Sequence, residues 1–124
     1  MIDLHAIKTM ITNGESESVE FKTTFARETI ETLVAFANTD GGTVLIGVAD
    51  DGSVRGTTIG KETLNDWLGQ IKSATSPSII PDIDAVQIDG KWVVIIHINE
   101  YPVKPVNTKG RYYKRLASSN HQLG

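Results

Sequence analysis

The segment GRYYKRL at residues 110–116 carries Arg111, Lys114 and Arg115 interleaved with Tyr112 and Tyr113, and Lys109 stands just ahead of it. Cations neutralise phosphates while rings stack on bases or sugars, so this mixture suits a nucleic-acid strand. Drawn as a β-strand, it sets Arg111, Tyr113 and Arg115 on one face and Tyr112, Lys114 and Leu116 on the other. The candidate nucleic-acid contacts are therefore Lys109, Arg111, Tyr113, Lys114 and Arg115. The plainer alternative packs one tyrosine inward and leaves the cations facing water. A second stretch, ESESVEFKTTF at 15–25, places Glu15, Glu17 and Glu20 within six positions. Its residues read most simply as a strand whose Val19 and Phe21 turn to the core while Glu20 and Lys22 face solvent. Glu15 and Glu20 have opposite parity, so only a bend near residues 16–18 would aim both at one point.

Charge separates along the chain. The net charge is −3, but residues 1–100 hold all 15 acids and 7 of the 12 lysines and arginines, net −8. Residues 101–124 hold Lys104, Lys109, Arg111, Lys114 and Arg115 with no acid, net +5. Such asymmetry favours a polyanionic partner, although a basic surface balancing an acidic body would look the same.

Several tempting motifs fall short. GTTIGKET at 56–63 has three residues rather than four between its glycines and a Glu after the Lys, so a loop capping the following helix explains it better than a nucleotide site. His5, His97 and His121 are far apart, and His97 sits inside the apolar run VVIIHI. No Gly-x-Ser-x-Gly elbow occurs, and the absence of cysteine excludes thiol nucleophiles, thiolate metal sites and disulfides. That absence fits a reducing, cytoplasmic setting. The N-terminus lacks the basic start and cleavage site of a signal peptide, and no run of about 18 apolar residues suggests a membrane span.

The elements that must position these residues alternate. Residues 3–11 form a short helix stopped at Asn13-Gly14, and residues 19–22 are extended. Ile30, Leu33, Val34 and Ala37 make one face of a helix over 26–38, opposite Arg27, Glu28, Glu31 and Thr32. TVLIGV at 43–48 reads as a strand buried on both faces, turned by Asp50-Asp51-Gly52 into a short strand around Val54. Leu64, Trp67, Leu68 and Ile71 mark a second helix over 61–74. AVQI, Asp89-Gly90 and WVVIIHI form a hairpin, and RYYKRL is the last strand. The expected fold is a single α+β domain: a mixed, mostly antiparallel sheet packed with two main helices. Ile30, Leu33, Val34, Leu64, Trp67 and Leu68 should share its core with strands 43–48 and 92–98.

The order ESESVEFKTTF, then LVAFANTDGGTVLIGVADDGSVRG, then GRYYKRLASSN resembles the Schlafen AlbA-type (AlbA_2) domain from about Glu15 to Asn120. The resemblance implies a core domain over 15–120 behind a lead-in of residues 1–14. Family members of this kind open bacterial and archaeal transcriptional regulators and continue into a helix-turn-helix region, so the chain, ending just past SSN, is expected to be an excised N-terminal domain or a short member. The resemblance also implies nucleic-acid binding, with DNA as the expected partner; apart from it, a homodimer stays open, since the sequence does not fix the oligomeric state. An alternative comes from RNA-cleaving relatives, whose catalytic carboxylates are similar in placement to Glu15, Glu20 and either Asp50 or Asp51. Such acids would gather Mg²⁺ or Mn²⁺ to polarise a phosphate and activate water. No cofactor is needed for binding alone.

Overall fold

The computed structural model describes residues 3–123; Met1, Ile2 and Gly124, which fall inside the expected 1–124 domain, lie outside the described residues. The Asp3 side chain accepts the His5 N–H at 3.0 Å and opens α1 (Leu4–Asn13), and Gly14 ends it at φ 84°, a conformation glycine adopts without strain. A parallel β-α-β unit follows: β1 (Val19–Lys22), α2 (Arg27–Ala37) and β2 (Gly42–Ile46), with Val19 paired to Thr43 and Lys22 to Ile46. After α3 (Thr63–Ala74) and the two-residue β3 (Thr75–Ser76), β4 (Asp82–Ile88) and β5 (Lys91–Ile98) form the expected hairpin. Its turn residues, Asp89 and Gly90, take φ 52° and 77° as a tight two-residue turn requires. The chain closes with β6 (Asn107–Thr108), β7 (Arg111–Leu116) and β8 (Ser119–Leu123). The short strand expected around Val54 is a single bridge from Val54 to Val48.

The fold is α+β, but with two four-stranded sheets where one was expected. Their orders are β1-β2-β5-β4 and β3-β6-β7-β8. The reason lies in α2, whose residues Leu33, Val34, Ala35, Phe36 and Ala37 are all fully buried. Five consecutive apolar positions go all the way round a helix, so one sheet cannot cover them. The first sheet packs on one side of α2 and the second on the other. Thr32, expected on the solvated side, is buried for the same reason; its hydroxyl donates to the Glu28 carbonyl and accepts the Asn120 amide. The far side of the first sheet is covered by α1, whose Ile7 packs with Phe21, Leu45, Val93 and Ile95. Every residue of β2 is buried, as its apolar run required.

Helix α3 is a flank rather than a core element. Only Ile71 is fully buried, while Leu64 and Trp67 are partly buried against the main cluster. Leu68 is half-exposed and takes no part in that cluster, which corrects its assignment to the core. The ring of Trp67 stacks on Phe25 at 4.8 Å and 8°, holding α3 against the chain just before α2. Among the described residues, no helix is long and apolar enough to cross a membrane.

Ile71→Ala should therefore cost about 2–5 kcal/mol, the range for a buried aliphatic deletion, and Leu68→Ala only about 1 kcal/mol. Urea unfolding of the two variants measures the difference, and equal losses would return Leu68 to the core.

Candidate nucleic-acid interface

The basic strand has the alternation read from its sequence, and the structure shows which face is inside. Tyr113 is 7% exposed and Arg115 only 3%, so neither is available to a phosphate or a base. Both point toward α2 because the second sheet exists to cover that helix. Lys109, Arg111 and Lys114 are exposed, and Tyr112 is half-exposed on the outer face beside Lys114, whose cross-strand partner is His121. Lys109 projects from the tip of the β6–β7 turn at φ 51°, with Gly110 at 77° completing a tight hairpin. Among the described residues, no carboxylate forms an ion pair with Lys109, Arg111 or Lys114. Lys104, by contrast, pairs with Glu100.

The buried guanidinium of Arg115 gathers segments that are remote in sequence. One terminal nitrogen forms an ion pair with Glu20 Oε1 at 2.8 Å and donates to Asn120 Oδ1 at 2.8 Å. The other donates to the Ser16 carbonyl at 2.8 Å. Its plane lies over the Phe36 ring, 4.9 Å from the centroid. Only Nε lacks a partner among the described residues. The backbone N–H of Arg115 donates to Thr39 Oγ1 at 2.9 Å, and the neighbouring Asn38 clamps the same sheet. Asn38 accepts the Val106 N–H at 2.7 Å and donates to the carbonyls of Val106 (2.9 Å) and Tyr113 (2.8 Å). The polar pair after α2 thus fastens the helix to the second sheet. Next to it, a Cβ on Gly41 would stand 2.8 Å from the Ile98 carbonyl and one on Gly42 2.7 Å from the Phe36 ring, so both positions exclude a side chain.

The glutamates answer to this arginine. A tight turn joins Ser16 to Val19 and brings Glu15 and Glu20, of opposite parity, to the same side. Glu15 Oε2 accepts the Phe21 N–H at 2.9 Å, and its carboxyl group lies close enough to that of Glu20 to disfavour a second negative charge. Glu20 is not on a solvated face: its side chain is 13% exposed, with Lys22 at 3.8 Å and Arg115 at contact. Contact with the guanidinium favours the ionised form, but burial and the adjacent Glu15 outweigh it and push the Glu20 carboxyl up to about 7.

Asp50 stands elsewhere. It is exposed and lines a broad hollow of about 510 Å³ with Lys22, Thr23, Asp51 and Arg55. Asp51 is held by the hydroxyl and N–H of Ser53, which lower its carboxyl below the usual value. No group of three His, Asp or Glu able to hold a cation occurs among the described residues. With Glu20 engaged by Arg115, Glu15 by a backbone N–H and Asp50 in another hollow beside two cations, these side chains do not fit a Mg²⁺ or Mn²⁺ site in this arrangement. The Glu15, Glu20 and Asp50 triad expected from the nuclease resemblance is thus not assembled here.

Two outcomes follow from the buried pair. Arg115→Ala should cost about 3–5 kcal/mol, because it leaves Glu20 facing an empty, partly dry site; a loss near zero by urea unfolding would contradict the burial. The pH dependence has a definite sign. The folded-state value of Glu20 lies above the ordinary glutamate value of 4.5, so the folded protein holds an extra proton between about 4.5 and 7. The stability from this group is complete below 4.5 and is lost as pH rises through 7. Glu15→Gln keeps an acceptor for Phe21 but removes the second carboxylate, so the fall in stability between pH 5 and pH 8 should be smaller than in the parent. An unchanged fall would separate Glu15 from the titration.

Comparison with known proteins places this geometry. The family model described as Schlafen, AlbA_2 matches residues 15–124. Among solved structures, the DIP2311 protein from Corynebacterium diphtheriae superposes with a TM-score of 0.75 at 18% identity, covering 97% of this chain. The chain spans only 26% of that protein's length. The N-terminal domain of a RecG-related protein from Nitrosomonas europaea superposes with a TM-score of 0.68 at 22% identity, covering 98% of this chain and 93% of the other. Nothing among curated proteins matches. The family match spans the glutamate turn, the NTDGG corner and the buried arginine alike, and the chain belongs to the Schlafen AlbA_2 family.

Proposed function

We propose that this domain binds nucleic acid, with DNA the expected partner, through the exposed cations at the β6–β7 edge, as part of a transcriptional regulator. The observation that carries the reading is the state of Lys109, Arg111 and Lys114: exposed, without ion pairs among the described residues, and set in a stretch free of acids. Family membership supports it, as does the likeness to a domain from a protein named for its relation to the DNA helicase RecG. Phosphates are met by the three cations, while Tyr112 on the outer face offers a ring for stacking. Arg115 contributes indirectly, by fixing the strand that carries them. The net −8 body repels a polyanion elsewhere and confines contact to this edge.

Three phosphate contacts imply a log–log salt slope of about −2.7 on duplex DNA, or roughly 40-fold weaker binding at 200 than at 50 mM salt. The double variant Arg111→Ala with Lys114→Ala should lower affinity and flatten the slope by about two units. Fluorescence anisotropy across a salt series measures both. An unchanged slope in the variant would move the interface away from this edge. Labelled DNA should also keep its length during incubation with Mn²⁺, and shortening would favour the nuclease alternative.

A further inference from the structure

Beside the cationic edge lies a groove that phosphate binding alone leaves unexplained. It has a volume of about 420 Å³ and runs between the start of α2, the last turns of α3 and the β6–β7 turn. Phe25, Ile30 and Ala74 give it apolar walls, and Gln70, Ser73 and Thr108 add hydrogen-bonding groups. Phe25 is braced from behind by its stack on Trp67. Arg27 and Lys109 stand at its margin. The same two residues and Thr108 also line a smaller hollow of about 120 Å³, completed by Arg111 and Glu31. Glu31, half-buried, faces the exposed Arg27 at 3.7 Å, and with Lys109 and Arg111 also lining the hollow the local charge stays positive.

The two hollows differ in chemistry. A ring-sized, apolar-walled groove with a few amide and hydroxyl groups suits a flat heterocycle, whereas a small hollow among three cations suits a phosphate. Sharing Arg27, Thr108 and Lys109, they stand side by side, as base and phosphate do in one nucleotide. A base within a duplex is paired and stacked and cannot enter a concave site, while an unpaired base can.

We infer that the groove takes one unpaired base of a single-stranded nucleic acid whose phosphates lie on the cationic edge. This inference rests on the proposed binding function and names the form of nucleic acid that the edge selects. Electrostatics alone would favour the duplex, with its higher charge density, so a single-strand preference needs a contribution from the base. Stacking and burial of one base are enough for about fivefold or more.

Anisotropy titrations with dT12, rU12 and a 12-base-pair duplex at one salt concentration test it. Either single strand should bind at least about fivefold more tightly than the duplex, the two arms showing which sugar is preferred. Ser73→Phe fills the groove from an exposed position of α3 and should abolish that preference while duplex binding and its salt slope persist. Gln70→Ala, also on the exposed side of α3, should weaken single-strand binding alone. Equal binding of single strand and duplex by the parent, or a preference that survives Ser73→Phe, would overturn the inference and leave the cationic edge standing. Failure of every probe to bind would instead overturn the proposed function on which it rests.

Discussion

A permanently charged guanidinium buried between a helix and a sheet is the constraint to which the other features of this domain conform. Removing a cation from water is costly unless its donors are matched and a counter-ion is near. At Arg115 the counter-ion comes from β1, a carbonyl from the turn before it, an amide from β8 and a ring face from α2. Each supplier is fixed in turn. Glu15 holds the turn by accepting the Phe21 N–H, Asn120 is anchored on Thr32, and Phe36 lies against Gly42, where no side chain fits. Stretches at the two ends of the sequence thus meet around one side chain. Asn38 and Thr39, just past the end of α2, repeat the logic: their side chains bond backbone groups of Val106, Tyr113 and Arg115 in the second sheet and the segment leading into it.

The same constraint divides the basic tail into two kinds of charge. Arg115 faces inward and Lys104 is paired with Glu100, which leaves Lys109, Arg111 and Lys114 facing solvent. Strand alternation sends Arg111 toward α2 with Arg115, but at the start of β7 it meets the open hollow beside Arg27 and Glu31 at the beginning of that helix and stays exposed. The result is three cations, unpaired among the described residues, around the β6–β7 turn and the outer face of β7, on an acidic body. A groove beside them is floored by Phe25, a residue whose stack on Trp67 also orients α3. The packing of α3 therefore shapes the groove at that end of the molecule.

Much of this was legible in the sequence, because local patterns control local structure. The helices, the Asp89-Gly90 hairpin and the alternation along RYYKRL follow from periodicity and turn chemistry. The inward face of RYYKRL was not legible. Cations on strands normally face water, and what turns Arg115 inward is Glu20 and the Ser16 carbonyl, the latter 99 residues away. The second sheet was hidden too, since β3 and β6 are two residues long and the β8 sequence SNHQL carries no strand pattern of its own. One signal for it was present: the unbroken run LVAFA, too apolar all round for a helix lying on a single sheet. The carboxylate triad did not assemble because the chain gives Glu20 an arginine partner and carries Asp50 past the end of β2.

NMR of the arginine and lysine side chains during titration with dT12 tests most directly whether Arg115 is structural while Lys109, Arg111 and Lys114 are surface cations. Arg115 should show a guanidinium Nε–H that exchanges slowly with water and keeps its position throughout the titration. The signals of Lys109, Arg111 and Lys114 should shift as DNA is added and return as salt is raised. A rapidly exchanging Arg115 guanidinium that moves with DNA, while those three stay still, would contradict that assignment.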